Sequence, residues 1–181
     1  LEAWLKDIGI KPDEYEVVNG RLNIKTSVLL TEHEYTQLPV PFGKVDGNFE
    51  IAMPTLKTTK NFPEEIEGNL TVYNTDIENL DDLNIAVGGG IHFGKNENLK
   101  NFRKVHKRIK SVGSGVTVDD LNSGSIGGLG FLMISGIRFI QLPNLSKAEE
   151  IMSKYFGKDG ADLLDIQEEL IDSGYKNIAR I

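Results

Sequence analysis

The residues that could carry catalysis or hold a metal are sparse and isolated in this sequence. The three histidines, His33, His92 and His106, each stand alone, without the His-x-x-x-His pair that places two metal ligands on one helix face. His33-Glu34 also lacks the second histidine of a zinc metalloprotease motif. Cysteine is absent, which excludes disulfide bonds, thiolate zinc sites and cysteine nucleophiles. We therefore expect no metal and no cofactor.

The glycine-rich segments and the acidic pairs do not complete a catalytic motif either. Segments 88–90 and 124–130 lack both the Lys-Ser/Thr of a P-loop and the Gly-x-Gly-x-x-Gly spacing of a dinucleotide-binding turn. Gly113-Ser114-Gly115 does not form a nucleophile elbow. Asp81-Asp82 and Asp119-Asp120 are adjacent carboxylates, but neighbouring side chains diverge on a strand, and such pairs are more typical of turns. The sequence therefore predicts a protein that is not an enzyme.

A run of basic residues lies in the second half of the chain. Six cations occur within eleven residues, and we call them the basic run: Lys100, Arg103, Lys104, Lys107, Arg108 and Lys110. Asn98 is predicted to cap a short helix here, with an apolar side formed by Leu99, Phe102, Val105 and Ile109. Three interpretations stay open: a solvated face, a contact with an acidic protein, and a contact with nucleic-acid phosphates. The lack of exposed aromatic residues in the run and the acidic total charge weigh against nucleic acid.

Length and composition favour one globular domain with at most a small appendage. The chain has 181 residues, 39% of them hydrophobic and 26% charged, with a net charge of −7, which excludes a wholly disordered chain. The longest apolar stretch, Gly128–Ile140, is too short and too interrupted to span a bilayer, so we expect no membrane association. The chain opens at Leu1 rather than Met, which suggests a missing or removed upstream piece, and Leu1–Gly9 does not resemble a secretory signal.

A repeat organises the chain. Four similar blocks start at positions 47, 68, 89 and 114, at steps of 21, 21 and 25 residues: Gly47-Asn48-Phe49-Glu50-Ile51, Gly68-Asn69-Leu70-Thr71-Val72, Gly89-Gly90-Ile91-His92-Phe93 and Ser114-Gly115-Val116-Thr117-Val118. A fixed period of this length is the signature of a solenoid. The alternation of apolar residues within each block predicts one short strand per coil of about 21 residues. The glycine before each strand is predicted to supply a positive φ at the corner of the coil.

The apolar residues of the repeat fall into columns that successive coils would share. The inward strand positions are predicted to be Phe49/Ile51, Leu70/Val72, Ile91/Phe93 and Val116/Val118. A second group follows each strand: Leu56, Phe62, Ile77, Leu80, Leu99 and Phe102. A third group precedes the next glycine: Val45, Ile66, Val87 and Val112. One coil cannot bury these side chains alone, but stacked coils can.

The two ends of the chain are predicted to be caps. Residues 1–26 form an N-terminal helix over Glu2–Ile8 and a hairpin whose turn is Asn19-Gly20, with Leu22-Asn23-Ile24 as the alternative first rung. Residues 27–142 form the solenoid, ending with a rung at Gly128–Ile134 and an extended segment at Ile137–Leu142. Residues 143–181 form a helical cap: one helix opens with a capping box at Ser146–Glu149 and stops at Gly157, and a second spans about 161–173 and stops at Gly174.

The repeat units resemble those of phage-encoded leucine-rich-repeat-like proteins. The segments that carry the resemblance are Leu38–Phe49, Phe62–Leu70 and, near the C-terminus, Leu163–Gly174. The middle repeats depart from the family pattern at Met53 and Phe93, which argues against a regular asparagine ladder. The resemblance covers roughly residues 1–118 and 146–181. It implies a phage origin and an interaction role rather than a reaction.

The outward residues of the predicted strands form a candidate binding surface. We call it the strand face; its residues are Asn23, Glu50, Thr71, Tyr73, His92, Thr117 and Asp119, with Ala52 and Gly94 between them. Its mixture of polar and aromatic residues, with no single sign of charge, suits a protein partner better than a phosphate backbone. We expect a non-catalytic module that binds a host or phage protein in the host cytoplasm. The alternatives are a nucleic-acid-binding protein that uses the basic run, and a structural component of the virion that assembles through sheet edges or terminal helices.

Overall fold

The structure, a computed structural model, describes residues 1–31, 33–156 and 163–181. It is a β-solenoid in which two six-stranded sheets enclose one hydrophobic core. Sheet A contains β1 (Tyr15–Val18), β2 (Arg21–Ile24), β4 (Phe42–Val45), β6 (Glu65–Ile66), β8 (Ile85–Val87) and β10 (Ile109–Val112). Sheet B contains β3 (Val28–Thr31), β5 (Phe49–Ala52), β7 (Leu70–Tyr73), β9 (Ile91–Gly94), β11 (Gly115–Val118) and β12 (Phe139–Gln141). All pairings except β1 with β2 are parallel.

The predicted columns are confirmed by the strand register. In sheet B the first inward column is Val28, Phe49, Leu70, Ile91, Val116 and Ile140, each paired with the next. All six side chains are buried, as are the residues of the two other predicted columns. Each coil thus buries its apolar side chains against the coils before and after it, which is how a solenoid builds a core from units that cannot fold alone.

Each coil contains two strands, one more than the sequence predicted. The third apolar column, Val45, Ile66, Val87 and Val112, lies on the strands of sheet A. These strands are short, and β6 has only two residues, so each shows too few alternating positions to be recognised in the sequence. With this second strand, each coil contributes one strand to sheet A and one strand to sheet B.

The glycines of the repeat are required by close stacking, and the prediction that they have positive φ is wrong. The glycines with positive φ are elsewhere, at Gly9, Gly20, Gly127, Gly136 and Gly174 among the described residues. A Cβ at Gly68 would overlap the amide oxygen of Asn48, and one at Gly113 would overlap the carbonyl oxygen of Gly88. The coils therefore approach so closely at this corner that a side chain would force them apart.

A short polar ladder joins the first coils at the same corner. Asn48 N donates to Ser27 Oγ (3.0 Å), Asn69 N donates to Asn48 Oδ1 (2.8 Å), and Gly90 N donates to Asn69 Oδ1 (2.8 Å). Each bond spans one 21-residue step, and the ladder ends at Gly90, which has no side chain to continue it. The asparagine ladder is thus limited to the first coils.

The N-terminal cap is confirmed. Helix α1 (Glu2–Asp7) buries Leu5, and the Trp4 ring packs edge-on against Phe42, the rings 6.1 Å apart. Asn19 and Gly20 have φ of 51° and 76°, the values of a tight two-residue hairpin turn between β1 and β2.

The later segments depart from the predictions in three places. Helix α2 covers only Val105–Arg108, so Asn98 is not its cap, and the amide of Asn98 donates to Asp76 instead. Gly128–Met133 forms a 3-10 helix rather than a rung, while the extended segment that follows is confirmed as β12. The capping box at Ser146 does not form, because Glu149 accepts a hydrogen bond from Leu142 N (2.6 Å).

The C-terminal cap consists of α3 (Ser146–Ser153) and α4 (Leu163–Asp172). Helix α3 packs against β12, and α4 packs against α3, so α3 lies on the last strand of sheet B. Gly174 has φ of 89° and ends α4 as predicted, while the predicted stop at Gly157 and the start near 161 lie outside the described residues. Within the part of the chain that the structure describes, no helix combines the length and apolar character that crossing a bilayer requires.

Candidate functional site

The outer face of sheet B brings most of the predicted strand face together. The parallel register places one outward column at Leu29, Glu50, Thr71, His92, Thr117 and Gln141. A second outward position pairs Tyr73 with Gly94, and Asp119 follows directly after β11 on the same side. Because neighbouring parallel strands lie about 4.8 Å apart, these residues form a continuous, regularly spaced surface.

Asn23 does not belong to this surface, and its inclusion was wrong. It lies on β2 in sheet A, where its Oδ1 accepts a hydrogen bond from Lys44 N (2.9 Å). The position next to Glu50, which was predicted for Asn23, is occupied by Leu29. The signal was present in the sequence, since one 21-residue step back from Glu50 leads to Leu29 rather than to Asn23. We therefore define the strand face from here on without Asn23 and with Leu29.

A polar cluster forms the centre of the strand face. His92 Nε2 lies 2.7 Å from Asp119 Oδ2, a hydrogen bond between neighbouring strands. The Tyr73 ring lies beside the imidazole, with ring centroids 6.5 Å apart, and Lys95 Nζ lies over the Tyr73 ring, 5.3 Å from its centroid. A hydrogen-bonding contact with the Tyr73 phenol raises the pKa of Lys95, so this ammonium group stays charged.

Gly94 allows the cluster to assemble. A Cβ at this position would lie 2.8 Å from Asp119 Oδ2, 2.9 Å from the Tyr73 ring and 3.0 Å from His92 Nε2. The three side chains therefore close over the bare backbone of Gly94. His92 and Asp119 keep 39% and 37% of their side-chain surface exposed, so the cluster remains accessible from solvent.

Two apolar side chains flank the cluster. Leu29 is 55% exposed at the N-terminal end of the face, and Phe139 is 41% exposed at the other end. Phe139 lies over Gly115, with which it pairs across the sheet. Leu29, Lys95 and Phe139 were not predicted from the sequence: Lys95 follows its strand directly, and Phe139 lies beyond the last regular 21-residue step.

His92 and Asp119 form a hydrogen-bonded pair on the strand face, so the partner of the imidazole among the described residues is a carboxylate and not a hydroxyl nucleophile. The described part of the chain also holds no group of three or more His, Asp or Glu side chains arranged to bind a metal ion.

The basic run lies outside the strand face, on the segment that leads from β9 into the first residues of β10. Five of its cations are exposed, and Arg108 is half-buried with its Nη2 atom 3.4 Å from Asp81 Oδ1. The apolar residues between them, Leu99, Phe102, Val105 and Ile109, are buried as predicted. The structure thus separates a basic surface from the mixed surface of sheet B.

Comparison with known proteins gives no match: no family model, no curated protein and no solved structure is similar to this chain.

Proposed function

We propose that this chain is a non-catalytic module that binds another protein through the strand face. The observation that carries the proposal is the register of sheet B, which lines up a half-exposed cluster of Tyr73, His92 and Asp119 between exposed Leu29 and Phe139. Aromatic side chains with polar tips, framed by apolar and neutral polar residues, are typical of the central part of a protein interface.

The rigidity of the face supports the same function. Its residues stand on six hydrogen-bonded strands whose inward neighbours are buried, so little conformational entropy is lost when a partner docks. Thr117 Oγ1 donates to Gln141 Oε1 (3.0 Å), which further fixes the outward column. Regular outward columns of this kind are the common binding surface of solenoid proteins.

The resemblance of the repeat units to phage-encoded proteins supports the origin that we propose for the module. We accordingly propose a bacterial or phage protein as the partner, encountered in the host cytoplasm. Self-assembly within a virion is the rival function, and it would leave the strand face unused.

Affinity capture with paired variants tests the proposal. The wild-type chain would be used to capture partners from a bacterial lysate, and the captured proteins would be identified by mass spectrometry. Y73A combined with H92A removes the cluster, and K44A combined with E65A removes two solvent-accessible residues from the outer face of sheet A, away from the basic run, as the matched control. We expect at least a tenfold loss of the captured partner with the first pair and full recovery with the second. Equal recovery by both pairs would refute the strand face as the binding surface.

A further inference from the structure

The coil that carries the basic run is longer than the coils that precede it. Its block starts 25 residues after the preceding one, where the earlier steps are 21, and the segment contains α2. A coil of 21 residues already completes both strands and the core positions, so the additional length is not required by the stacking. The additional length lies mainly between Asn101 and Ser111, since Asn101 pairs with Asn79 and Ser111 pairs with Ala86, and five of the six cations lie between them.

The next coil holds this segment in place. Phe102 N donates to Ile126 O (2.7 Å), Ile126 N donates to Lys100 O (2.8 Å), and Phe102 is buried against Phe131 with ring centroids 5.3 Å apart. Lys104 adopts φ of 60° at the start of α2, a left-handed conformation that is uncommon for a lysine and marks a sharp turn. The cations are therefore presented on a well-packed segment.

The charges of the basic run are largely unneutralised. Among the described residues, Arg108 is its only member with a carboxylate within 4.0 Å, and the other cations, Lys100, Arg103, Lys104, Lys107 and Lys110, have none. The segment from 100 to 110 contains no acidic residue, so all 27 Asp and Glu lie in the rest of the chain with the remaining 14 Lys and Arg. The rest of the chain thus has a net charge of −13, and the basic run is a local exception to it.

We infer that the basic run is a second docking surface, and that it binds an acidic segment of a protein partner. Charge complementarity defines the partner as anionic, and the strongly acidic remainder of the chain would repel a long polyanion that extends beyond the run. Segment 100–110 also contains Phe102 and His106. The Phe102 ring is buried and offers no surface for stacking nucleic-acid bases. A short acidic peptide segment meets both conditions, because it is anionic and does not extend beyond the run.

Fluorescence anisotropy with a labelled polyglutamate peptide of about eight residues tests this inference, with a labelled DNA duplex of about 20 base pairs as the rival ligand. R103E combined with K107E reverses two charges of the run. K25E combined with K176E makes the same change in net charge at exposed lysines elsewhere. In about 50 mM NaCl we expect the first pair to weaken polyglutamate binding at least tenfold and the second pair less than twofold, with binding further weakened at about 200 mM.

The outcomes separate this inference from the proposed function. Unchanged polyglutamate binding by Y73A with H92A is expected, because the strand face is a different surface. No polyglutamate binding by the wild-type chain, or equal weakening by both charge-reversed pairs, would overturn the inference. Tighter binding of the DNA duplex that depends on Arg103 and Lys107 would also overturn it and assign the basic run to nucleic acid.

Discussion

Asn96 shows how a single buried side chain holds adjacent coils together. It is 1% exposed, its Oδ1 accepts hydrogen bonds from Thr75 N (3.1 Å) and Thr75 Oγ1 (2.7 Å), and its Nδ2 donates to Val72 O (2.8 Å). Its own backbone N donates to Asp120 Oδ2 (2.6 Å) in the following coil. One amide therefore satisfies polar groups that the stacked core would otherwise leave without partners.

Truncating this amide is expected to destabilise the protein. N96A leaves the Thr75 hydroxyl and two backbone groups unpaired in the core, which we expect to lower the free energy of unfolding by about 3 kcal/mol. N98A is the matched control, because Asn98 is exposed and we expect a loss of less than about 1 kcal/mol. Urea unfolding followed by circular dichroism measures both. A similar loss in the two variants would contradict the role of Asn96.

His106 is expected to make stability depend on pH. Burial, and to a smaller extent the charge of Lys107, lowers the pKa of His106 from its ordinary value of 6.5, and its Nδ1 has no hydrogen-bond partner among the described residues. The unfolded chain therefore takes up this proton at a higher pH than the folded chain. The stability associated with neutral His106 is complete above about pH 6.5 and decreases as the pH falls towards the lowered pKa of the folded state.

H106F removes this titration while keeping a ring of similar shape. Between about pH 7.5 and 5.5 we expect the urea midpoint of the wild-type chain to fall more than that of H106F. The comparison with H106F removes the contributions of other titrating groups, which both proteins share. Parallel curves for the two proteins would show that His106 titrates normally in the folded state.

Several single-residue features could not be obtained from the sequence. His92 and Asp119 are separated by 27 residues and were each predicted to face outward, yet their hydrogen bond depends on the relative position of two strands. The role of Gly94 is visible only when the three side chains above it are placed. Asn23 was misassigned because its strand, β2, stacks on the next coil in sheet A and not in sheet B. These features arise from contacts between coils, which local patterns do not specify.

At the scale of elements, α3 protects the open edge of sheet B. An exposed edge strand presents unpaired backbone groups that invite aggregation. Helix α3 packs against β12 and buries Ala148, Ile151 and Met152 in the shared core. The helical cap is thus part of the folded unit of the solenoid.

Two isoleucines in the cap provide a matched test. Ile151 is fully buried, whereas Ile171 on α4 is 45% exposed. We expect I151A to lower the free energy of unfolding by about 3 kcal/mol, through lost burial and the cavity that remains, and I171A by less than about 1 kcal/mol. Hydrogen exchange at the Ile140 amide is expected to accelerate in I151A only. Equal stability of the two variants would mean that α3 does not support the edge of sheet B.

The sequence predicted the elements with regular spacing better than the others. Phe49, Leu70 and Ile91 recur at steps of 21 residues, so their strands and the register between those strands could be predicted from the spacing alone. Strands β4, β6, β8 and β10 of sheet A were missed because one or two inward residues, such as Ile66 in β6, are too few to define a strand. The rung predicted at Gly128 failed where the period is lost: the chain there turns into a 3-10 helix that packs on α2.

At the scale of the whole molecule, the outward column of sheet B measures the length of the solenoid. Leu29 and Gln141 are separated by five strand spacings along this column, or about 24 Å at about 4.8 Å per spacing. Leu29 and Thr117 are separated by four, or about 19 Å. The chain contains no natural cysteine, so spin labels can be placed at each pair without background.

Pulsed electron paramagnetic resonance on these two labelled pairs tests the stacking. We expect two narrow distance distributions whose centres differ by about 5 Å, the spacing of one strand. A meander of hairpins would not preserve this order, because its strands would not add equal increments along one column. Overlapping distributions for the two pairs would contradict the solenoid.

Site-specific photo-crosslinking addresses the protein-binding role of sheet B. A photoreactive residue would be placed singly at Leu29, Thr71 or Thr117 on the strand face, and at Glu65, Ala86 or Ser111 on the outer face of sheet A, before incubation with the partner found by affinity capture. We predict adducts with that same protein at all three strand-face positions and none at the three positions of sheet A. Adducts confined to sheet A, or no adduct at any strand-face position, would contradict the account.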